Sequence, residues 1–447
     1  LSSLNQRLHI NPSGWMAIGF ATLILIGATL LTLPISSATG QRIPFIDALF
    51  TATSAVCVTG LNVIDPGSSY SMFGEIVIMI LIQVGGLGFM TFGVLFAILL
   101  GKKIGLKSRI LILESTKSIS SRGVVRLVLG VLLISFSLEG IATLALTARW
   151  SSELGIDKAF YYAAFHSVSA FNNAGFALWP DNLMRFVGDP VVNLTIALLF
   201  IIGGIGFTVI LNVFQQRRWK KLSLHSKIVL ITTGFLIVSG FLFILLVEWF
   251  NPLTFGSLNW AERLWAAFFQ GVVTRTAGFN TILIDKMMVA SQFFMIFLMF
   301  IGASSGSTGG GIKTNTFAVL ILTVWSIILG KKDVQLFHRR IDNENLILAL
   351  AVFVTSMGVV TIITLLLSIT EIGNYTSFLE VLFEVTSAFS TTGLTMGLTP
   401  KLSIIGKIIV SLTMYIGRLG PLTLAFALAQ RSFTSNIRYA EEKVLIG

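Results

Sequence analysis

The stretch FHSVSAFNNAGF at residues 165–176 returns in altered form three more times, as FTATSAVCVTGL at 50–61, FFQGVVTRTAGF at 268–279 and FEVTSAFSTTGL at 383–394. In every copy a Phe stands ten positions before a Gly, at Phe50/Gly60, Phe165/Gly175, Phe268/Gly278 and Phe383/Gly393. The four glycines are 115, 103 and 115 residues apart, so the motif recurs through the chain. Each copy closes with small or polar residues, the Gly and an apolar residue. This pattern predicts a short helix followed by one strand of a selectivity filter, four times around one pore.

The composition places these copies in a membrane. The chain of 447 residues is 54% hydrophobic and 11% charged, with mean hydropathy +0.88. Soluble domains carry about 25% charged residues. Cys57 is the only cysteine, which excludes an intrachain disulfide and leaves the redox compartment open. The chain starts at Leu1 and its first Met is Met16, so the true start is expected upstream or processed. No signal peptide is evident, because the first apolar run is a full span followed by others.

A net charge of +11 raises nucleic acid as a partner, but the charges are placed otherwise. Three hydrophilic loops hold the excess: Lys102, Lys103, Lys107, Arg109, Lys117, Arg122 and Arg126; then Arg217, Arg218, Lys220, Lys221 and Lys227; then Lys331, Lys332, Arg339 and Arg340. The intervening loops carry Asp65, Glu75, Glu153, Asp157, Asp181, Asp189, Glu248, Glu262, Glu371 and Glu380. The positive-inside rule makes the basic loops cytoplasmic, and the acidic loops predict a mildly cation-attracting outer surface. Only Trp219 and Phe337 interleave with the basic residues, too few aromatics for a nucleic-acid face.

The anatomy of a repeat follows from lengths. Residues 15–33 suffice to cross a hydrocarbon core of about 30 Å. Residues 43–55 are too short and predict a half-helix, and 73–100 predict a second full span. The unit recurs at 122–214, 226–330 and 344–430. The domains are therefore 1–100, 101–221, 222–332 and 333–430, with a tail at 431–447. The predicted fold is an all-α polytopic membrane protein of four pseudo-symmetric repeats, eight spans and four half-helices around a central pore, with both termini cytoplasmic.

Each inner span also carries a glycine cluster 24 to 28 residues after the filter Gly: Gly85-Gly86-Leu87-Gly88, Gly203-Gly204-Ile205-Gly206, Gly302-Ala303-Ser304-Ser305-Gly306 and Gly417-Arg418-Leu419-Gly420. Small residues let membrane helices approach or bend. Their register with the filter copies suggests that they mark where inner helices pass beneath it.

Non-helical chain at membrane depth survives only when buried in protein or lining a watery cavity. A strand with carbonyls aimed at an axis can replace an ion's hydration shell, and Gly permits the necessary φ values. Half-helix C-termini directed at the pore add negative dipole ends that favour a cation. The predicted carbonyl donors are Cys57, Val58 and Thr59; Asn172, Asn173 and Ala174; Arg275, Thr276 and Ala277; and Ser390, Thr391 and Thr392, each followed by its Gly. Four ordinary Gly-ended re-entrant loops are the alternative.

These four copies, with the Gly/Ser-rich break in the third inner span, resemble the Trk/Ktr/HKT superfamily of potassium transporters over essentially the whole chain. The layout is most similar to the membrane subunit of bacterial Ktr systems. The resemblance implies potassium as the transported ion at the filter carbonyls, a homodimer, and a cytoplasmic KtrA-like nucleotide-binding ring. It implies no cofactor in this chain, with ATP/ADP or NAD(H) on that partner only. Gly at all four filter positions matches the potassium-permeable pattern. Sodium-selective plant relatives carry Ser at the first, where this chain has Gly60.

The run Gly302, Ala303, Ser304, Ser305, Gly306, Ser307, Thr308, Gly309, Gly310, Gly311, Ile312 and Lys313 predicts a helix break, each Gly costing about 1 kcal/mol in a helix interior. It lacks GxxxxGK[ST] spacing, so a phosphate loop is discounted. The resemblance implies an intramembrane gate, with Arg418 pairing to it as part of the barrier; the alternative for Arg418 is a packing role on a neighbouring carbonyl. Arg275, if its carbonyl faces the pore, needs an acid behind it, and Glu139 or Glu384 is expected. His166 is expected to be a hydrogen-bonded core residue.

Enzyme signatures are missing: HExxH, GxSxG, a Cys/His zinc pattern and a Walker sequence do not occur. The rival is a sodium-permeable or ion-coupled carrier with alternating access, whose hallmark is inverted repeats with broken helices. The loops 215–227 and 331–340 suit either the ring or anionic lipid, and the tail is expected at an interface.

Overall fold

The computed structural model describes residues 12–88, 124–331, 333–372 and 377–421. The N-terminal residues 1–11, the first basic loop and the tail 431–447 lie outside them. Among the described residues the named elements are helices apart from one hairpin, Gln335–Leu336 with Arg339–Arg340. A long helix opens each quarter: Pro12–Thr32, Val124–Leu154, Leu224–Glu248 and Asn343–Thr370. A half-helix follows, at Phe45–Val56, Ile156–Phe171, Trp260–Val273 and Phe378–Ser390. An inner helix comes third, at Met72–Leu87, Pro190–Ile205, Val289–Phe300 and Ile404–Leu419.

The inner helices differ from expectation. The run 73–100 reads as one span, yet its helix stops at Leu87 and Gly88 takes φ +85°; residues 89–100 lie outside the described part. The second turns by 94° at Gly206, φ +99°, into Phe207–Gln216. The fourth stops at Leu419 before Gly420, φ +86°. A break was expected in the third alone. The last Gly of the other three clusters breaks its helix as well, because a left-handed residue cannot continue a right-handed helix. Among the described residues four helices are long and apolar enough to cross a membrane, five if the bent pair counts as one.

Several of the outer acids are engaged in the fold itself. Asp65 and Asp189 cap the helices that follow them, and Glu262 and Glu380 close capping boxes with Asn259 and Ser377. Glu248 is fully buried and accepts from Asn251, Thr254 and the Met288 N–H. Glu371 accepts from the Ser403 N–H and hydroxyl. Both acids thus tie the end of a long helix to the start of its inner helix. In the second quarter Arg149 and Asp189 make the same tie at 2.5 Å. On the outer turn Asp181 holds the Arg185 guanidinium above its ordinary pKa range, chiefly through a hydrogen bond.

Lipid is as apolar as leucine, so close packing must hold these helices together. Gly85, Gly203 and Gly417 lie against the last turn of a half-helix; a Cβ on any of them would overlap the carbonyl oxygen of Val56, Phe171 or Phe389. Phe50, Phe165 and Phe383 of the repeated motif are buried in the two main cores. In the third copy Phe268 is half-buried and its neighbour Phe269 takes the buried place.

The quarters close into a ring. Tyr161 donates to Glu75 at 2.5 Å between the first and second, and Leu183 N to Asn280 O at 3.1 Å between the second and third. Phe300 stacks near Phe389 between the third and fourth. Lys407 pairs with Asp47 at 2.6 Å, and Tyr415 donates to Ala17 O at 2.6 Å, between the fourth and first. The second and third basic loops meet where Lys227 Nζ lies 5.2 Å from the Phe337 ring, so they share one end of the molecule. Gly417→Ala is expected to destabilise by about 1–3 kcal/mol through overpacking. Gly358→Ala, with open space around it, should be neutral or stabilising; melting of the detergent-purified variants checks both.

Candidate functional site

The half-helices end in one shape. Val58, Asn173 and Thr391 take left-handed φ of 53°, 60° and 52°. Their N–H groups donate three residues back, to Ala55 O, Ala170 O and Ala388 O. The next N–H groups, of Thr59, Ala174 and Thr392, donate five residues back, to Ser54 O, Ser169 O and Ser387 O, at 2.7–2.8 Å. This is a Schellman ending, usually made with Gly. In the third copy Thr276 is left-handed too, φ 62°, and Ala277 N reaches Val273 O instead. The filter glycines follow at φ 95°, 69°, 74° and 88°. In each copy, then, two left-handed residues flank one of negative φ, an alternation that turns successive carbonyls toward one side where an extended strand would oppose them. The Gly60 and Gly393 N–H groups are held by the hydroxyls of Ser54 and Ser387 at 3.0 and 3.1 Å.

The four glycines converge. A Cβ on Gly175 would lie 2.5 Å from Gly278 Cα, and one on Gly278 would lie 2.7 Å from Thr392 O and 3.2 Å from Thr59 O. One on Gly393 would lie 3.0 Å from Gly60 Cα, and one on Gly60 3.2 Å from Gly175 Cα. No side chain fits at any of these four positions. Cys57, Val58, Thr59, Asn172, Asn173, Ala174, Thr276, Ala277, Ser390, Thr391 and Thr392 are all fully buried around this meeting point. The Arg275 carbonyl accepts from Asn173 Nδ2 at 3.3 Å, so part of its capacity is already engaged.

Left-handed φ is costly for β-branched Val58, Thr276 and Thr391. Three of the four left-handed side chains have a partner that accounts for the choice of a non-glycine residue. Thr391 Oγ1 accepts from Gly310 N at 2.9 Å, and Asn173 Oδ1 accepts from Thr308 Oγ1 at 2.9 Å. Thr276 Oγ1 faces Gly309 so closely that a Cβ there would overlap it. The Gly302–Gly311 segment therefore lies across the half-helix end of the filter, touching three of its strands. Sequence reading passed over this role, because a β-branched residue gives no hint of positive φ.

The segment is well tied. Ser304 N donates to Gly204 O at 3.0 Å, and Gly306 O accepts from Phe207 N at 2.9 Å, just past the Gly206 bend. Ile301 and Ile312 form a bridge at its neck. Ser307 Oγ bonds Ser304 O at 2.6 Å, Ser305 Oγ bonds Asn315, and Lys313 Nζ bonds Gly309 O at 2.6 Å. Ala303 is fully buried. Arg418 donates to Thr308 O in the segment and to Gly85 O and Gly86 O at the end of the first inner helix. A guanidinium suits such unpaired terminal carbonyls. Arg418 thus joins three quarters at once, combining the contact to the segment with the packing contact weighed from sequence.

Arg275 does not pair as expected. Glu139 accepts from Gln83 Nε2 at 3.1 Å, and Asn172 Nδ2 bonds Gln83 Oε1 at 2.6 Å. Glu384 accepts from Thr395 and Thr399. Both acids are held by neutral donors, and Arg275 has no salt bridge among the described residues. Amides took the bonds at Glu139 and hydroxyls at Glu384, and separation in sequence could not show this. His166 is buried, with Nδ1 at 2.7 Å from Tyr162 O and Nε2 accepting from Leu178 N at 3.3 Å. Those partners fix the neutral tautomer with the proton on Nδ1, and Trp179 packs on its ring at 4.6 Å.

Comparison with known proteins follows the same lines. Residues 14–435 match the family model TrkH, described as a cation transport protein. The chain is 49% identical over 440 residues to Ktr system potassium uptake protein B of Bacillus subtilis, covering 98% of each chain. It is 39% identical to the potassium/sodium uptake protein NtpJ of Enterococcus hirae, covering 99% of this chain and 98% of that one. The structure of the potassium transporter TrkH from Vibrio parahaemolyticus superposes with TM-score 0.70 at 20% identity, covering 93% of this chain and 85% of that one, and so shares the fold. The chain is a multi-pass membrane protein and belongs to the TrkH family of cation transport proteins.

Proposed function

We propose that this chain takes up potassium ions across the plasma membrane, along one axial path lined by four filter segments. The convergence of Gly60, Gly175, Gly278 and Gly393, each two residues after a left-handed turn, carries this reading. Carbonyls of residues 57–60, 172–175, 275–278 and 390–393 replace the ion's water, and backbone chemistry makes the differing side chains tolerable. Each of the four repeats, divided at 100, 221 and 332, supplies one segment. The potassium names of the B. subtilis and E. hirae relatives support the choice of ion.

The Gly302–Gly311 segment is the gate. It lies across the path at the half-helix end of the filter, and its anchors at Asn173, Thr391 and Arg418 are few enough to release together. The protein works as a homodimer under a cytoplasmic KtrA-like ring that binds ATP/ADP or NAD(H), with both termini on the ring side. The name "Ktr system" of the B. subtilis relative supports a multi-component assembly. The meeting of the second and third basic loops supports one cytoplasmic face. A sodium-permeable or sodium-coupled path is the second reading, favoured by the potassium/sodium name of the E. hirae relative.

Potassium-depleted cells lacking their own uptake systems, expressing this chain with and without the ring subunit, are expected to take up rubidium with saturation and to take it up faster with the ring. Sodium flux equal to rubidium flux would favour the second reading, and strict counter-exchange would revive a carrier. Gly393→Ala should lower rubidium uptake at least about tenfold at equal surface expression, since the added Cβ overlaps Thr59 O and sits at φ 88°. Arg418→Ala removes a charged donor whose bonds are worth about 1.5–3 kcal/mol. Its maximal rate, like that of a deletion within 304–311, should rise several-fold while the half-saturating concentration moves little; unchanged kinetics in both would remove the gate.

A further inference from the structure

Arg275 leads to a site outside the pore. Arg275 is 6% exposed, and its Nη1 is buried without a hydrogen-bond partner among the described residues. Thr233, on the third long helix, is also 6% exposed, and its hydroxyl lacks a partner too. Other buried threonines on long helices turn their hydroxyls back to the carbonyl four residues earlier, as Thr143 and Thr364 do at 2.7 Å. Thr233 forgoes that bond. Arg275 and Thr233 line one small cavity, walled otherwise by Phe200, Ile201 and Gly204 of the second inner helix and by Ile237.

The size of the cavity selects its occupant. Its room for a water-sized centre is ≈ 10 Å³, about that of one water, which needs roughly 10–15 Å³ by this measure. A phosphate head group is several times too large, and the apolar walls of Phe200 and Ile237 offer nothing to a second polar group. A water accepts from the guanidinium and exchanges a hydrogen bond with the hydroxyl, so it satisfies both orphaned atoms. Leaving either unmade would cost about 1–3 kcal/mol.

We propose that one ordered water bridges Arg275 Nη1 to Thr233 Oγ1, making Thr233 a positioning residue for the third filter strand. The link reaches the filter by a short route. The Arg275 carbonyl and Thr276 Oγ1 both accept from Asn173 Nδ2, and Gly204 of the cavity wall lies beside that same amide. A guanidinium held in place behind the strand fixes the orientation of the 275–276 peptide. The third copy lacks the five-residues-back bond of its siblings, so it has most need of such support.

The water site stands on geometry alone, whereas its effect on ion preference rests on the proposed filter. A map of the full-length transporter at a resolution that shows waters should contain density between Arg275 and Thr233 that disappears in Thr233→Val. No density there, or a direct side-chain partner for Arg275, overturns the site. In proteoliposomes Thr233→Val should lower the preference for rubidium over sodium about threefold to tenfold, the worth of one hydrogen bond, and Thr233→Ser should retain it. A wild-type preference in Thr233→Val overturns the positioning role. Wild-type protein with no preference for rubidium would count against the proposed potassium filter and leave the density test of the water standing.

Discussion

Backbone groups inside a bilayer have no water to bond, and the half-helix ends and inner-helix breaks among the described residues are arranged around that constraint. Four half-helices stop inside the protein and leave terminal carbonyls that a soluble protein would give to solvent. The chain answers first with its own turns: the N–H groups of Val58, Thr59 and their counterparts fold back onto the last helical turn. It then uses hydroxyls, with Ser54 and Ser387 taking the glycine N–H groups. Around the meeting point of the four glycines the proposed filter would draw on the carbonyls of these turns, the group a dehydrated cation needs. The same demand that makes irregular chain hard to place in lipid thus selects where an ion path can lie.

The broken inner helices obey the same rule. The third opens for ten residues, and its peptide groups find partners in Gly203, Gly204, Phe207 and Thr391. The second bends by 94° at Gly206, which places Phe207 N on the carbonyl of Gly306. One break therefore accommodates the other. Arg418 completes the arrangement by supplying fixed donors to carbonyls of the first inner helix and the segment together. A cation beside a proposed cation path is tolerable because those three carbonyls accept its hydrogen bonds.

Much of this organisation was legible in the chain. Four Phe-to-Gly motifs in register with four glycine clusters are hard to produce by packing needs alone, and the short apolar run 43–55 placed the first half-helix to within two residues of Phe45–Val56. The basic loops were read as one face, and the two described ones do meet. Other features left no trace. A lone Gly in an apolar run reads equally as packing or as a break, so the bend at Gly206 could not be told from a close contact at Gly203. The outer acids looked like an electrostatic surface, yet Glu248 and Glu371 are buried struts, because a carboxylate near a helix start is most useful to the free N–H groups there. Pairing Arg275 with Glu139 followed charge alone and missed the nearer amides of Gln83 and Asn172.

The linear order of small and apolar residues by itself determined that the chain lies in a membrane and that a Phe-to-Gly motif recurs four times, since hydrophobic length and glycine spacing are local properties. Only the tertiary structure decided which side chains meet across repeats. Contacts such as Arg418 with Gly85, separated by 333 positions, depend on how the ring closes. Left-handed backbone at Val58 and Thr391 likewise exists only because surrounding packing outweighs the local preference of β-branched residues.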